Sequence, residues 1–251
     1  LNAAHLGGCL SIADIMDVLY SEILVYNKKD LQDENRDRVI MSKGHGSISM
    51  YAAMTKSGII NNLSDIGDLV GKGNVYYKQE VRRPEKGLEF SSGSLGQGLA
   101  YAVGIAWGLK RKNNKAKVFV IVGEGECEEG SIWEAASIAS QLCLNNIIVI
   151  VDKNGLQIDG WTKNINSQED IKERWKAFGF LAKEINGHNK SEIKEALETQ
   201  SDFKPIAIIA NTVKGKGISY AENNAEWHQN VVTDELYHKG MIELKGVSNE
   251  V

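Results

Sequence analysis

Residues 118–155 read VFVIVGEGECEEGSIWEAASIASQLCLNNIIVIVDKNG. Val118–Val122 and Ile147–Val151 are unbroken runs of β-branched and aromatic residues with the length of buried strands. Between them, Ser131–Leu142 places Ile132, Ala135, Ala136, Ala139 and Leu142 on one face of a helix. Gly123–Gly130 is the loop that joins strand to helix. Two continuous apolar strands separated by one helix imply parallel strands, because a parallel pair needs a crossover and its sheet is covered on both faces. The expected fold is α/β: a doubly wound, mainly parallel sheet with helices on both faces, in a single domain over residues 1–251.

The flanking sequence continues the alternation. Phe180–Ile185 and Pro205–Ala210 predict further strands, with helices at Ser167–Phe178 and Ser191–Gln200. Upstream, Arg38–Met41 predicts a strand that runs into Ser42-Lys43-Gly44-His45-Gly46. A helix carrying Ile48, Tyr51, Ala52 and Thr55 follows. Before that strand, Ser11 and Asp14 form an S-x-x-D capping pattern. Ile12, Ile15, Met16, Leu19 and Ile23 then share one helix face. Residues 61–92 are polar, glycine-rich and aperiodic, which in a compact domain often marks a functional segment. Gly93-Ser94-Leu95-Gly96-Gln97-Gly98 leads into a helix of small residues, Ala100, Ala102, Gly104, Ala106 and Gly108. That helix is expected at an interface or in a dense part of the core. Trp133, Trp175 and Phe178 occupy packing positions.

The charge balance narrows the function. The 29 Lys and Arg residues face 33 Asp and Glu, so no positive excess favours nucleic acid or an anionic membrane. The apolar runs are far too short to span a bilayer. Cys9, Cys127 and Cys143 are odd in number and form no Cys-x-x-Cys, which argues against a disulfide framework or zinc site. A reducing, cytoplasmic setting is expected. No secretory leader is visible, and the first residue is Leu1 rather than Met.

In doubly wound sheets, ligands bind beyond the carboxyl ends of the strands. Glycine-containing loops 44–46, 123–130 and 154–160 all fall there. Gly123 and Gly125 let backbone approach a phosphate, and the helix that follows offers free N–H groups at its start. Glu124 beside a phosphate makes sense only with a cation between them. Magnesium takes one or two carboxylates together with phosphate oxygens. Asp152-Lys153-Asn154 at the next strand end supplies further oxygens, with 28 residues between Gly125 and Asn154. A solvated acidic turn remains the competing reading for Glu124, Glu126, Glu128 and Glu129. A dinucleotide site fails because Gly130 comes too late for G-x-G-x-x-G. A calcium loop from Asp152 fails because Lys163 stands where an acid is needed. Gly215-Lys216-Gly217 lacks the Walker pattern.

Gly123-Glu124-Gly125 followed by Asn154 resembles the thiamine-diphosphate motif. Around it, seven stretches resemble transketolases, and in particular the N-terminal subunit of transketolases split over two chains. They are 4–8 (AHLGG), 42–47 (SKGHGS), 92–98 (SGSLGQG), 129–135 (EGSIWEA), 152–160 (DKNGLQIDG), 212–217 (TVKGKG) and 226–228 (EWH). They span nearly the whole chain in order. The resemblance implies the thiamine-diphosphate-binding fold and a transferase that moves a two-carbon ketol unit between sugar or sugar-phosphate substrates. It implies a magnesium shell from Glu124, the Asn154 side chain and the Leu156 carbonyl. It implies cofactor contacts from His45, Gly93, Leu95, Gly123, Gly125, Glu126, Asn154 and His228. It gives catalytic roles to His5, His45 and His228, and places Glu129 at a subunit interface that couples paired sites. His188 and His238 match no such motif and are read as structural.

The resemblance also implies a missing part. Thiamine diphosphate carries the carbon–carbon chemistry, but family members activate it with a glutamate on a pyrimidine-binding domain. This sequence has no second α/β domain to hold one. A C-terminal transketolase subunit is therefore the expected partner, with two heterodimers pairing into a heterotetramer. Two departures stand out. Glu124 occupies a position where the family usually has aspartate, which leaves Ca2+ or Mn2+ open beside Mg2+. Residues 78–84 (KQEVRRP) lack the histidine that many members place ahead of the 92–98 loop, which points to a specialised keto-sugar substrate. The alternatives are a deoxyxylulose-phosphate synthase-like or 2-oxoacid dehydrogenase E1-like component, or a catalytically silent cofactor-binding subunit.

Overall fold

A computed structural model of the chain describes residues 5–61, 76–166 and 170–247. Its strands are β1 (Arg38–Met41), β2 (Val118–Gly123), β3 (Ile147–Lys153), β4 (Leu156–Gln157), β5 (Gly160–Trp161), β6 (Leu181–Asn186) and β7 (Ile206–Asn211). Its α-helices are α1 (Leu6–Leu10), α2 (Ala13–Val18), α3 (Ser47–Lys56), α4 (Gln97–Arg111), α5 (Gly130–Gln141), α6 (Thr162–Ile165), α7 (Ile171–Ala177), α8 (Lys190–Leu197) and α9 (Asp234–Val247). The main sheet has the order β1-β2-β3-β7-β6, and every neighbouring pair in it is parallel. β4 and β5 form a small antiparallel hairpin just past β3.

The twofold period of a strand divides the apolar runs between two cores. Phe119, Ile121, Ile148, Ile150, Ile206 and Ile208 face one side, where Ile15, Met16, Met50, Met54, Ile193 and Leu197 of α2, α3 and α8 cover them. Val118, Val120, Val122, Val149 and Ile209 face the other, beneath Leu99, Ala102, Val103, Ile132, Ala136 and Trp175 of α4, α5 and α7. Each fully buried Val or Ile contributes roughly 1.5–3 kcal/mol, so both sheet faces must be roofed for the strands to persist.

Strand order explains which face each helix takes. β2 to β3 and β3 to β6 travel across the sheet in one direction, and their crossover helices α5 and α7 lie on one face. β6 to β7 steps back, and α8 lies on the opposite face. A single crossover hand requires this switch.

A third cluster matters for function. Ile218, Ala221 and Trp227 pack with Leu6, Leu10, Tyr220, Val232 and Leu236, which folds the C-terminal segment onto α1. The approach is close: a Cβ at Gly7 would lie 2.8 Å from the Trp227 carbonyl oxygen and 2.9 Å from Lys214 Cγ.

The expected doubly wound sheet is present, and its strands lie within two residues of the expected bounds. The helices differ more. Ser11 is not an N-cap: it follows α1, and α2 starts after Ile12 with no side-chain cap. Its hydroxyl donates to Asp152 Oδ2 at 2.7 Å instead, because the residue is fully buried beside that carboxylate. The face of Ile12, Ile15, Met16 and Leu19 is buried, while Ile23 lies in a π-helical turn at its edge. The helix expected over Ser167–Phe178 is α7 and begins at Ile171; residues 167–169 lie outside the described residues. The helix expected to Gln200 ends at Leu197. Of the aperiodic segment 61–92, residues 62–75 lie outside the described residues, and the remainder holds a 3-10 turn at Pro84–Lys86 enclosed by an antiparallel bridge between Arg83 and Leu88. α4 packs tightly on one side only, leaving Ala100, Gly104 and Trp107 exposed. Among the described residues, no helix is long and apolar enough to cross a membrane.

Candidate functional site

Three strand ends open into one cleft of about 500 Å3. β1 delivers Lys43, Gly44 and His45; β2 delivers Gly123–Glu126; β3 delivers Asn154 and the hairpin that follows. α1 and the C-terminal segment close it with His5, Lys214 and His228. All twelve residues singled out in the sequence line this cleft: His5, His45, Gly93, Leu95, Gly123, Glu124, Gly125, Glu126, Glu129, Asn154, Leu156 and His228. They come from segments up to 223 residues apart, from His5 to His228.

The three histidines form a triangle, with ring centroids 5.1 Å apart for His45 and His228, 5.5 Å for His5 and His45, and 5.6 Å for His5 and His228. Burial, then Lys43 and the other two imidazoles, hold the His45 pKa down to about 2. Burial and Lys214 hold His228 down to about 3. His5 is lowered by burial and by Lys78, Lys214 and Lys43. All three are thus neutral imidazoles, able to accept or donate a hydrogen bond without adding charge.

Lys214 is 2% exposed. Its Nζ lies 3.1 Å from His228 Nδ1 and donates to the Leu156 carbonyl at 3.4 Å. Burial and the nearby Lys43 bring its pKa down to about 8. Lys43 is buried too and pairs with Asp152, which also accepts from Ser11 Oγ, Asn154 Nδ2 and Thr212 Oγ1. This second layer is not visible in the sequence. Lys43 and Lys214 stand inside glycine-bearing motifs, a lysine where the backbone turns tightly, and that is the one signal available.

The carboxylates divide into two kinds. Glu126 is turned inward: it accepts from Ser42 Oγ, from Gly96 N–H at 2.9 Å and from Gly123 N–H at 3.1 Å. It ties the 92–98 loop to the 123–125 loop, so its carboxylate shapes the cleft from behind. Glu124 accepts from Gly155 N–H, and its pKa is raised to about 7 by burial and by the charge of Asp152. A buried carboxylate beside another carboxylate is an unfavourable arrangement that a cation relieves.

Among the described residues, no three His, Cys, Asp or Glu side chains are grouped to hold a metal. The candidate oxygens named from the sequence are of another kind, and all three residues line the cleft: the Glu124 carboxylate, the Asn154 amide oxygen and the Leu156 carbonyl. All are hard oxygens of the type that suits Mg2+, Ca2+ or Mn2+. Asn154 Oδ1 already accepts from Leu156 N–H at 3.2 Å, which fixes its amide orientation. At Gly125, a Cβ would sit 3.1 Å from the Gln157 side chain, so the absence of one keeps the cradle open. The residues therefore fit a diphosphate bridged to the protein by a divalent cation. Glu129 and Leu95 form an exposed rim.

Comparison with known proteins identifies the family. Residues 1–240 match the family described as transketolase, thiamine diphosphate binding domain. The 6-deoxy-6-sulfo-D-fructose transketolase subunit SqwG of Clostridium sp. (strain MSTE9) is 35% identical over 247 residues, covering 98% of this chain and 90% of that protein. An apulose-4-phosphate transketolase subunit of Actinobacillus succinogenes is 38% identical over 242 residues, covering 96% of this chain and 87% of that protein. The crystal structure of transketolase from Campylobacter jejuni superposes with a TM-score of 0.89 at 33% identity, covering 97% of this chain and 39% of that chain. This chain thus spans nearly all of two proteins named as transketolase subunits and less than half of the Campylobacter chain. With a family match over almost its whole length, and relatives more than a third identical along most of theirs, the chain belongs to the transketolase family and carries its thiamine diphosphate binding domain.

Proposed function

We propose that this chain, as a single domain over residues 1–251, is the diphosphate-binding subunit of a two-chain, magnesium-dependent transketolase. The observation that carries the reading is the meeting of the Gly123–Gly125 loop, the Asn154 loop and His5, His45 and His228 in one cleft. Glu124, Asn154 and the Leu156 carbonyl would hold the cation. Gly125 would give diphosphate oxygens room beside the backbone, and Lys214 would offset their charge. Thiamine diphosphate, when bound, supplies the electron sink for breaking and forming a carbon–carbon bond. His45 and His228, kept neutral, would orient that group and the substrate by hydrogen bonds. His5, at the mouth, would exchange protons with substrate hydroxyls.

The exposed rim at Leu95 and Glu129 is where a second chain would supply the pyrimidine-binding domain, with two heterodimers pairing there. The names of the two relatives join transketolase to a ketose phosphate and to a sulfo-ketose. By extension, the substrate here would be a specialised keto sugar with an anionic end. Unpaired Cys9 and Cys127 in the interior suit a reducing, cytoplasmic location.

Titration calorimetry tests this directly. Thiamine diphosphate should bind the chain with Mg2+ present and bind far more weakly after chelation. Ketol transfer from a ketose phosphate should require the partner chain. An absence of binding at millimolar cofactor, by the chain alone and with its partner chain, would end the reading of a cofactor-binding subunit in favour of a silent one. Full turnover by this chain alone would end the two-chain reading.

A further inference from the structure

His188 carries no motif in the sequence, yet the fold ties it to the cleft. It sits in the turn between β6 and α8, and its ring lies between two partners. Nε2 accepts from the Val213 backbone N–H at 2.9 Å, and Nδ1 lies 2.8 Å from Asp14 Oδ2. An imidazole nitrogen that accepts from an N–H carries no proton of its own. The single ring proton is therefore on Nδ1 and is donated to Asp14. The ring is 13% exposed, and the turn is held by a bond from the His188 N–H to Asn186 Oδ1 at 3.0 Å.

The position of Val213 gives this bridge its meaning. β7 pairs with β3 up to Asn211, opposite Lys153, and Thr212 N–H still donates to the Lys153 carbonyl at 3.1 Å. Beyond that point the sheet no longer holds the chain. The next N–H to be held is that of Val213, by His188; Gly215 N–H then donates to the Gly7 carbonyl at 3.0 Å, and on the far side the Lys214 carbonyl accepts from Asn223 N–H at 2.9 Å. Between the Val213 and Gly215 anchors stands Lys214, whose long side chain crosses the cleft floor to the Leu156 carbonyl and His228 Nδ1. A lysine side chain is flexible, so its reach depends on where its backbone is fixed.

We infer that His188 is a positioning residue: its Nδ1–H tautomer, set by Asp14, fixes Val213 and thereby seats Lys214 against His228 and Leu156 in the cleft. This rests on the proposed function for its consequence, the binding of thiamine diphosphate, but not for the contact it sets.

The test uses the full chain with two substitutions. His188→Leu removes both hydrogen bonds. His188→Gln keeps an acceptor for Val213 and a donor for Asp14. In the cofactor-free chain, the ring resonances of His228 should move in His188→Leu and return towards wild type in His188→Gln. Thiamine diphosphate with Mg2+ should bind His188→Leu roughly 10-fold more weakly, and His188→Gln within about 3-fold of wild type. A His188→Leu chain that melts earlier but keeps its His228 resonances and cofactor affinity would show a packing role only and overturn the inference. If His188→Leu does not fold, Asp14→Ala takes its place, since it removes only the tautomer-setting acceptor. An unmoved His228 signal in that variant would equally overturn it. Should the wild-type chain bind no cofactor, the proposed function fails, while the His228 signal still decides the role of His188.

Discussion

Lys43 Nζ lies 2.5 Å from Asp152 Oδ2, and the two side chains are 1% and 0% exposed. Burial opposes the charge on Asp152, but Lys43 beside it and donors from Thr212 and Ser11 more than offset that, so its carboxyl stays below the usual range. The pair joins the end of β1 to the end of β3, directly beneath the cleft. Removing one partner leaves the other charge buried and alone, which costs far more than the pair itself contributes. Lys43→Met should therefore lower unfolding free energy by about 3–5 kcal/mol in urea denaturation. A loss below about 1 kcal/mol would show that solvent reaches Asp152.

Glu124 presents one oxygen to Gly155 N–H, and the cation would use what remains of its carboxylate. Glu124→Ala should weaken Mg2+-dependent binding of thiamine diphosphate by at least about 10-fold, since even the outer partners of metal ligands are worth that much. Parallel calorimetric titrations with Mg2+, Mn2+ and Ca2+ would rank the cations. Affinity equal with and without any of them would remove Glu124 from the ligand set.

Acid should destabilise the chain through its buried imidazoles. His45 has its pKa lowered from 6.5 to about 2, so between those values the unfolded chain binds a proton that the folded chain does not. Stability from this source is complete above about pH 6.5 and falls as pH drops towards 2. At pH 5 one such histidine costs about 2 kcal/mol relative to neutral pH. His45→Gln should reduce the loss between pH 6.5 and 5 by about that amount. Parallel urea-denaturation curves for wild type and variant would show an unchanged gap at the two pH values if His45 were open to protonation in the fold.

Gly98 opens α4 against the end of β1. A Cβ there would lie 2.4 Å from Ser42 Oγ and 2.8 Å from Ser42 Cα, and the backbone atom cannot turn aside. Gly98→Ala should cost about 1–3 kcal/mol from overpacking, although alanine favours helix more than glycine does. Thermal unfolding would report it, and an unchanged midpoint would mean that the helix shifts freely.

The sheet was legible from residues 118–155 because two fully apolar strands around one helix admit few other arrangements. The cleft was legible because its main-chain parts need glycine at tight turns and the candidate site residues stand beside those glycines. Helix ends were less so. The S-x-x-D pattern at Ser11 named a cap, yet the Ser11 hydroxyl is taken by Asp152, a residue 141 positions away. A local capping bond is worth about 1 kcal/mol, and a buried carboxylate in need of donors outcompetes it.

The sequence by itself determined the family motifs, the succession of strands along the chain and the residues that meet at the site. It assigned His188 to structure, gave Lys43 and Lys214 no role and read Asp152 as an oxygen source for a cation, whereas its carboxylate faces Lys43, Ser11 and Thr212; each acts through a partner distant in sequence. Only the tertiary structure decided that the Lys43–Asp152 pair lies under the cleft and that His188 anchors the segment carrying Lys214. The physical reason is the same in each case. A charge or an imidazole is defined by what it faces once water is excluded, and what it faces here is set by the packing of distant strand ends.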